Sequence, residues 1–151
     1  MKYQLAQVNI SPLKEPIDSL LLTDFVAQLD ETNALAEAAE GFVWRLQGEE
    51  GNATAYQVFN NEMTIINMSV WESVESLRNY VYKSAHANVM KQRNKWFDKL
   101  DRPQVALWWI PAGHTPTTPH EAKEKLAYLT KYGETKEVFT FKNIFEPNFE
   151  T

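Results

Sequence analysis

The sequence predicts an α+β protein whose elements follow the ferredoxin-like order of strand, helix, strand, strand, helix and strand, built on an antiparallel sheet. Three features of the chain carry this prediction. Apolar residues alternate with other residues in short segments, they recur at helical spacing in the segments between, and Gly or Pro ends most of these segments. This order places the core helices on one face of the sheet, so the other face needs a cover of its own.

The first half of the chain predicts one strand, one long helix and a pair of strands. The first strand alternates cleanly and is followed by two prolines, which break it. The helix carries apolar residues at helical spacing and stops at Gly41. A polar loop rich in Gly and Asn separates the next two strands, which should therefore pair as a hairpin. These elements are predicted at residues 3–10, 23–39, 42–46 and 63–71.

The second half begins with a helix that Ser73 can cap, and a break near Ser84 divides it from a further helical segment. A strongly apolar fourth strand follows. After it, Thr118, Pro119 and Glu121 have the pattern of a helix start, with a capping residue, a proline in the first turn and a capping-box glutamate. The second helical segment is predicted to end at Phe97, and the fourth strand is predicted at 105–110. The next helix is predicted from Thr118 to Gly133, and a short fifth strand at 138–141.

One domain is predicted for residues 1–151, with residues 118–151 as a C-terminal extension, because no repeat or linker divides the chain. Trp44 and either Trp108 or Trp109 are large side chains for the sheet face that the core helices leave open. A homodimer formed sheet against sheet would cover this face. The alternative is that the C-terminal segment covers the sheet itself.

Composition narrows the classes of function. With 44% hydrophobic and 23% charged residues among 151, the chain is ordinary for a globular protein. Its net charge is −5 and Lys and Arg are not clustered, so nucleic acid is not an expected partner. The absence of cysteine excludes disulfides and thiolate chemistry. No apolar run approaches the ~20 residues that cross a bilayer, and we expect a cytoplasmic protein that does not bind membranes.

His86 is the first candidate for chemistry, because neutral imidazole can bind iron and can exchange protons near pH 7. It stands six residues after Tyr80 in an aromatic segment, and Asn9 lies at the end of the first strand. We expect these three side chains to converge between helix and sheet. The alternative for His86 is a structural histidine that bonds to backbone or water.

Polar residues on the strands form a second group of candidates. Gln7 and Asn9 share one face of the first strand, and Asn67 and Ser69 share one face of the third. Because an unsatisfied buried amide costs about 1–3 kcal/mol, these side chains face a wet cavity, lie on a partly exposed sheet face, or bond to each other across strands.

Aromatic residues and a second histidine complete the candidate substrate site. Trp71 and Trp108 could form walls for a flat ligand, although core packing is the commoner role of such residues. Gly113 permits a turn that would bring His114 to the rim of a cavity, whereas the prolines around it equally suit a rigid loop. The histidines are far apart and no carboxylate motif accompanies them, so no metal site is predicted.

Four segments of the chain, combined, resemble a bacterial family of unknown function within the dimeric α/β-barrel superfamily. The superfamily also contains antibiotic-biosynthesis monooxygenases and small haem-degrading monooxygenases. The resemblance to the superfamily spans roughly residues 1–111, and that to the family covers nearly the whole chain. The segments are Leu5 to Asn9, Gly41 to Leu46, Ser69 to Ser73 and Trp108 to His114.

The resemblance implies a homodimer and a monooxygenase-like protein that acts on or binds a small aromatic or polycyclic molecule in a pocket between helix and sheet. His86 would accept a proton, Asn9 would orient an oxygen species or a substrate carbonyl, and Tyr80 with Trp71 would form walls. No cofactor is expected in that case. In haem-degrading relatives a histidine that His86 matches binds iron, so haem is the alternative cofactor. A further alternative is a ligand-binding or structural dimeric module without turnover.

Overall fold

The computed structural model describes residues 2–15, 19–46, 64–83, 93–97, 104–114 and 119–147. The first four predicted strands and the three longer helices recur within a few residues of their expected bounds, and the α+β class is confirmed. The strands are β1 Tyr3–Pro12, β2 Phe42–Arg45, β3 Thr64–Trp71 and β4 Val105–Pro111, and the helices are α1 Thr23–Ala38, α2 Val74–Lys83, α3 Arg93–Trp96 and α4 Pro119–Tyr132, with a 3-10 turn at Leu20–Leu22.

The four strands form one antiparallel sheet in the order β2-β3-β1-β4. This is the ferredoxin-like arrangement, and β2 and β3 are neighbours as the hairpin prediction requires. The long central strand β1 places Asn9 directly opposite Asn67 of β3 on one side and Val105 of β4 on the other. Paired residues in neighbouring strands point to the same face of the sheet.

Helix boundaries follow the capping residues that the sequence indicates. The Ser73 hydroxyl accepts a hydrogen bond of 3.0 Å from the backbone N–H of Ser76, so Ser73 caps α2. At the end of α4, Gly133 has a φ of +74° and donates its N–H to the carbonyl of Leu129 at 2.9 Å. This left-handed residue terminates the helix, as predicted. Ser84 and Thr118, which the sequence also singled out, lie outside the described residues.

One face of the sheet is covered by α4, and we call it the α4 side. Ala122, Leu126 and Leu129 of α4 are buried against strand residues that include Val8 and Trp108. The sequence allowed either a partner subunit or the C-terminal segment to cover this face. In this chain the C-terminal helix covers it. Trp108 therefore points to the α4 side, and its neighbour Trp109 packs on the opposite face.

The opposite face, which we call the α1/α2 side, carries two separate apolar clusters. The first, the Trp71 cluster, joins the sheet to α1, α2 and the C-terminal segment. The second, the Trp96 cluster, lies at the other end of α1 and includes the single bridge between Leu13 and Phe97. Their buried members are Leu5, Ala36, Trp71, Leu77, Leu107 and Phe139 in the Trp71 cluster, and Leu13, Leu22, Phe25, Ile65, Trp96 and Phe97 in the Trp96 cluster.

The prediction of a fifth strand at 138–141 is wrong beyond one residue. Phe139 exchanges two backbone hydrogen bonds with Leu107, of 2.7 and 2.9 Å, along the outer edge of β4. The chain then turns away, because the Glu134 carboxylate accepts hydrogen bonds from Thr140 and from Asn143. Alternating apolar residues indicate which side chains are buried, but they do not reveal that hydrogen bonds to Glu134 compete with strand pairing.

Beyond the bridge, the C-terminal segment reaches the α1/α2 side. The indole N–H of Trp109 donates to the carbonyl of Phe145 at 2.7 Å, and the ring of Phe141 meets that of Tyr82 at 6.1 Å. The extension therefore contacts both faces of the sheet around the β4 edge. No helix within the described ranges is long and apolar enough to span a bilayer.

Candidate functional site

A row of polar side chains separates the Trp71 cluster from the Trp96 cluster on the α1/α2 side of the sheet. Gln7 pairs with Ser69, and Asn9 pairs with Asn67, at neighbouring positions of β1 and β3. Apolar residues flank the row on β3, where Trp71 lies at one end and Ile65 at the other. We call Gln7, Asn9, Asn67 and Ser69 the polar belt. A sheet face that packs under helices is ordinarily apolar throughout, so the interruption calls for a chemical explanation.

The buried half of the polar belt satisfies itself across the strands. The side-chain amide of Gln7 donates to Asn67 Oδ1 at 2.8 Å and to Ser69 Oγ at 2.7 Å. The indole N–H of Trp71 also donates to Ser69 Oγ, at 2.7 Å. Gln7 and Ser69 are 8% and 7% exposed. For these two residues, the sequence alternative of bonding between strands is therefore the observed one.

The other half of the belt is open to solvent. Asn67 is exposed and Asn9 is half-buried, although both project from the middle of the sheet. Because Asn67 Oδ1 is turned toward Gln7, its NH₂ group is turned away from Gln7. Asn9 Oδ1 accepts a long hydrogen bond, 3.5 Å, from the Ser11 hydroxyl. Asn9 and Asn67 thus present two adjacent side-chain amides, whose NH₂ groups can donate to a ligand oxygen.

Helix α1 carries two half-buried polar residues between its contacts with the two apolar clusters, and the sequence analysis did not single them out. Phe25 is buried in the Trp96 cluster and Ala36 in the Trp71 cluster, so both mark the inward face of the helix. Gln28 and Thr32 lie between them at helical spacing and are half-buried. The signal was available, because polar residues three and seven positions after Phe25 interrupt the apolar stripe of an otherwise ordinary helix.

Tyr80 is fixed in place between two helices. Its ring stacks on Trp71, with centroids 5.2 Å apart and planes 26° apart, and its hydroxyl donates to the carbonyl of Thr32 at 3.0 Å. Burial raises the pKa of Tyr80 to about 12, and the opposing charge of Arg45 offsets this only in part. The hydroxyl is therefore neutral near pH 7. These contacts suit a wall and a link between α1 and α2 better than proton transfer.

The structure separates several of the residues that the sequence grouped together. Trp71 lies opposite Leu5, four residues from Asn9 along β1, which is about 13 Å in a strand. Trp71 is also only 1% exposed, so it supports Tyr80 from below and offers little surface to a ligand. The structure brings Asn9 and Asn67 together as adjacent groups, and it pairs Tyr80 with Trp71 at a distance from them.

Two predicted site residues lie far from the polar belt. Trp108 projects to the α4 side of the sheet and is 1% exposed, so it cannot line a pocket on the α1/α2 side. His114 is exposed in the turn after β4, where Gly113 has a φ of +91°. That turn adjoins the end of β1 at Tyr3, which lies six residues, or about 20 Å, from Asn9. His114 therefore lies far from the polar belt, and its place at the rim of a cavity stays a prediction. His86 lies outside the described residues.

The described residues do not fit haem. A porphyrin needs apolar surface on both of its faces. Here the aromatic side chains next to the polar belt pack against one another, with Trp71 1% and Phe139 0% exposed, while the accessible groups are amides. Within the described ranges no three His, Asp or Glu side chains cluster as a metal site would require.

Sequence comparison identifies a family for nearly the whole chain. A family model described as "Domain of unknown function (DUF3291)" matches residues 4–151. This confirms the recognition of a family of unknown function from the sequence. No curated protein matches the chain.

Solved structures are similar to this chain at low sequence identity. A conserved protein from Methanosarcina mazei Go1 matches with a TM-score of 0.51 and 12% identity, covering 71% of this chain and 90% of that one. A protein of unknown function from Nitrosomonas europaea gives 0.50 and 15%, covering 77% and 97%. SnoaB, a cofactor-independent oxygenase from Streptomyces nogalater, gives 0.46 and 13%, covering 76% and 98%. In each pair the alignment covers a smaller share of this chain than of the solved structure.

Proposed function

We propose that this chain, which belongs to the DUF3291 family, binds a small conjugated molecule at the polar belt and is a monooxygenase-like enzyme. The observation that carries the proposal is a row of amides and a hydroxyl set between two apolar clusters, with Asn67 open to solvent. A few placed polar groups among apolar walls are the usual composition of a small-molecule site.

The adjacent amides of Asn9 and Asn67 supply the recognition. Two NH₂ groups on one side of the sheet suit a carbonyl or phenol oxygen, and they stabilise the negative charge that develops on such an oxygen when its ring loses a proton. The hydrogen bond from Gln7 holds Asn67 in the orientation that this role requires. Gln28 and Thr32 of α1 are half-buried between Phe25 and Ala36, and we propose them as further contacts for the ligand.

The reaction class comes from the family resemblance in the sequence. A conjugated substrate that loses a proton can transfer electrons to O₂ directly: the substrate gains one oxygen atom and loses two hydrogen atoms, which leave with the other oxygen as water, so that the substrate itself supplies all four electrons. His86 is the proposed proton acceptor, since its ordinary pKa lies near neutrality. Tyr80 is not proposed for this step, because its hydroxyl is already donated to the carbonyl of Thr32.

Oxygen uptake with a panel of quinols tests this proposal. We expect consumption by the unaltered protein, abolished by His86→Ala and retained by His114→Ala, the matched control on the distant turn. Asn9→Ala and Asn67→Ala should each lower kcat/KM by roughly 10- to 100-fold, because each removes one charge-stabilising donor. Oxygen uptake that is unchanged in His86→Ala, Asn9→Ala and Asn67→Ala would contradict the proposal.

A binding protein without turnover is the second candidate. It is favoured by the engagement of Tyr80, which leaves the accessible part of the described site composed of neutral amides. Quinols would then change tryptophan fluorescence in the unaltered protein, and Asn67→Ala would weaken that binding, while no oxygen is consumed. Fluorescence titration and oxygen uptake together separate the two candidates.

A further inference from the structure

The hydrogen bonds of the polar belt form a chain that starts at a residue fixed in the core. Trp71 is 1% exposed, stacks on Tyr80, and meets the ring of Phe42 edge-on with centroids 5.6 Å apart. An indole N–H can donate a hydrogen bond but cannot accept one. Ser69 Oγ therefore accepts from Trp71, at 2.7 Å, and the direction of this first bond is fixed.

Gln7 of β1 continues the chain with a single nitrogen that donates twice. Its Nε2 lies 2.7 Å from Ser69 Oγ and 2.8 Å from Asn67 Oδ1, both on β3. An amide nitrogen carries two hydrogens and does not accept a hydrogen bond. Ser69 Oγ thus receives two donors, and the carbonyl oxygen of Asn67 is used inside the protein.

Asn67 is the last residue of this chain and the exposed one, whereas Gln7 and Ser69 are buried. Because Asn67 Oδ1 faces Gln7, its NH₂ group faces the ligand. Asn67 in this orientation offers a ligand hydrogens and no acceptor. Asn9 is held less firmly, by the 3.5 Å bond from Ser11. The buried part of the belt therefore determines which atoms Asn67 presents.

We propose that Gln7 is a specificity-determining residue: it turns Asn67 so that the site prefers a ligand oxygen without a hydrogen, a carbonyl or a phenolate, to a hydroxyl that must donate. Ser69 and Trp71 are positioning residues that hold Gln7. The choice of ligand rests on the proposed function, whereas the orientation of Asn67 is measurable without any ligand.

Exchange of side-chain amide hydrogens with water, measured by NMR on the full chain alone, tests the orientation of Asn67. We expect the NH₂ hydrogens of Gln7 to exchange roughly 10-fold more slowly than those of Asn67, because both are bonded inside the sheet. An Asn67 NH₂ that exchanges as slowly as that of Gln7, or more slowly, would overturn the proposal. Gln7 would then accept through its Oε1, and Asn67 would present its oxygen to the ligand.

Gln7→Glu tests whether Gln7 sets this orientation. A carboxylate only accepts hydrogen bonds, so the NH₂ of Asn67 should turn inward and exchange with water roughly 10-fold more slowly than in the unaltered protein. The matched control is Ser11→Ala, which removes the long bond to Asn9 and should leave the exchange of Asn67 unchanged. A folded Gln7→Glu variant in which Asn67 exchanges as before would contradict the role of Gln7.

Binding of naphthoquinone, and of naphthohydroquinone under nitrogen, tests the selectivity. The chain has no cysteine, so there is no thiol for the quinone to alkylate. The ratio of the two affinities, quinone over hydroquinone, should fall roughly 10-fold in Gln7→Glu and stay constant in Ser11→Ala. The reason is that a quinone carbonyl can only accept, and it would then face Asn67 Oδ1.

The outcomes separate this proposal from the proposed function. Binding of both compounds with an unchanged affinity ratio in Gln7→Glu would contradict the role of Gln7 alone. Binding of neither compound to the unaltered protein would contradict the proposed function, on which the selectivity rests. If Gln7→Glu does not fold, Gln7→Met should lower the ratio in the same direction by a smaller factor, because Asn67 is then free to turn either way. An unchanged ratio in Gln7→Met would contradict the proposal equally.

Discussion

Trp71 and Trp108 lie on opposite faces of the sheet, and they differ in whether the indole N–H has a hydrogen-bond partner. Each is 1% exposed. The indole N–H of Trp71 donates to Ser69, whereas that of Trp108 has no partner among the described residues. The fold therefore gains a hydrogen bond from one tryptophan and bears an unsatisfied donor in the other.

This difference predicts that Trp71→Phe destabilises the protein more than Trp108→Phe, by about 1–2 kcal/mol, in urea unfolding. Both substitutions remove the same ring volume from a buried site, so each serves as the control of the other. Only Trp71→Phe removes a hydrogen bond. Equal losses, or a larger loss for Trp108→Phe, would contradict the assignment of these two environments.

Tyr80 predicts a stability difference that depends on pH. Its pKa is about 12 in the folded chain against an ordinary 10.0, so the unfolded chain releases the proton first. The stabilisation from Tyr80 is therefore complete below pH 10 and is lost as the pH rises toward about 12. Tyr80→Phe should be less stable than the unaltered protein near pH 7, and this gap should narrow in alkaline solution. A gap that is constant with pH would contradict the burial of this hydroxyl.

At the site, strand alternation was sufficient to predict which polar residues share a face. Asn9 and Asn67 came together because paired strands keep the same alternation. Trp108 was misplaced because two adjacent tryptophans must point to opposite faces, and the sequence does not show which face each takes. The distance of His114 from the polar belt could not be predicted, because its position depends on the direction of a turn, which local spacing does not determine.

At the scale of elements, the connection between α1 and β2 depends on Gly41. Its φ is +85°, and a Cβ at this position would lie 2.1 Å from the Ser76 hydroxyl oxygen and 2.4 Å from Ser76 Cβ. The Gly41 carbonyl also accepts the backbone N–H of Glu72 at 2.8 Å. The sequence indicated a helix stop here, and the structure adds that the start of α2 packs against the same backbone.

Gly41→Ala should therefore destabilise the protein more than Gly133→Ala. Both glycines have positive φ, which costs an alanine roughly 1–2 kcal/mol. At Gly133 none of the described residues has an atom within 4 Å of an added Cβ, so the difference between the variants isolates the clash with Ser76. Thermal unfolding of the two variants gives this difference directly. Equal melting temperatures would show that Ser76 moves aside without cost.

Most element types could be predicted because each has a local cause. Ser73 and Gly133 act through hydrogen bonds to their own helix ends, and a capping pattern within a few residues is visible in the sequence. The fifth strand failed for the opposite reason. The Glu134 carboxylate reaches six residues ahead to Thr140, and alternation of apolar residues contains no information about such a contact.

At the scale of the whole molecule, the C-terminal extension determines which surfaces remain accessible. Its helix covers the α4 side, and its last described residues pack beside Trp109 on the α1/α2 side. The sequence predicted the helix but could not choose between the chain itself and a partner as the cover. An amphipathic pattern shows that a helix buries one stripe, and it does not identify the surface against which the stripe packs.

The extension also concentrates the accessible polar groups of this face at one place. Phe139 and Trp71 close the neighbouring apolar region, and Asn67 with Asn9 remains open. A ligand that enters from solvent on the α1/α2 side therefore meets the exposed half of the polar belt. This accessibility is the basis of the proposed function.

Side-chain amide resonances of the full chain, recorded while naphthohydroquinone is added under nitrogen, test the polar belt most directly. The account predicts that the NH₂ signals of Asn9 and Asn67 shift in a saturable way, while that of Asn143, which donates to Glu134, stays in place. Saturable binding that leaves both belt amides unshifted, or that shifts Asn143 instead, would show that the ligand site lies elsewhere.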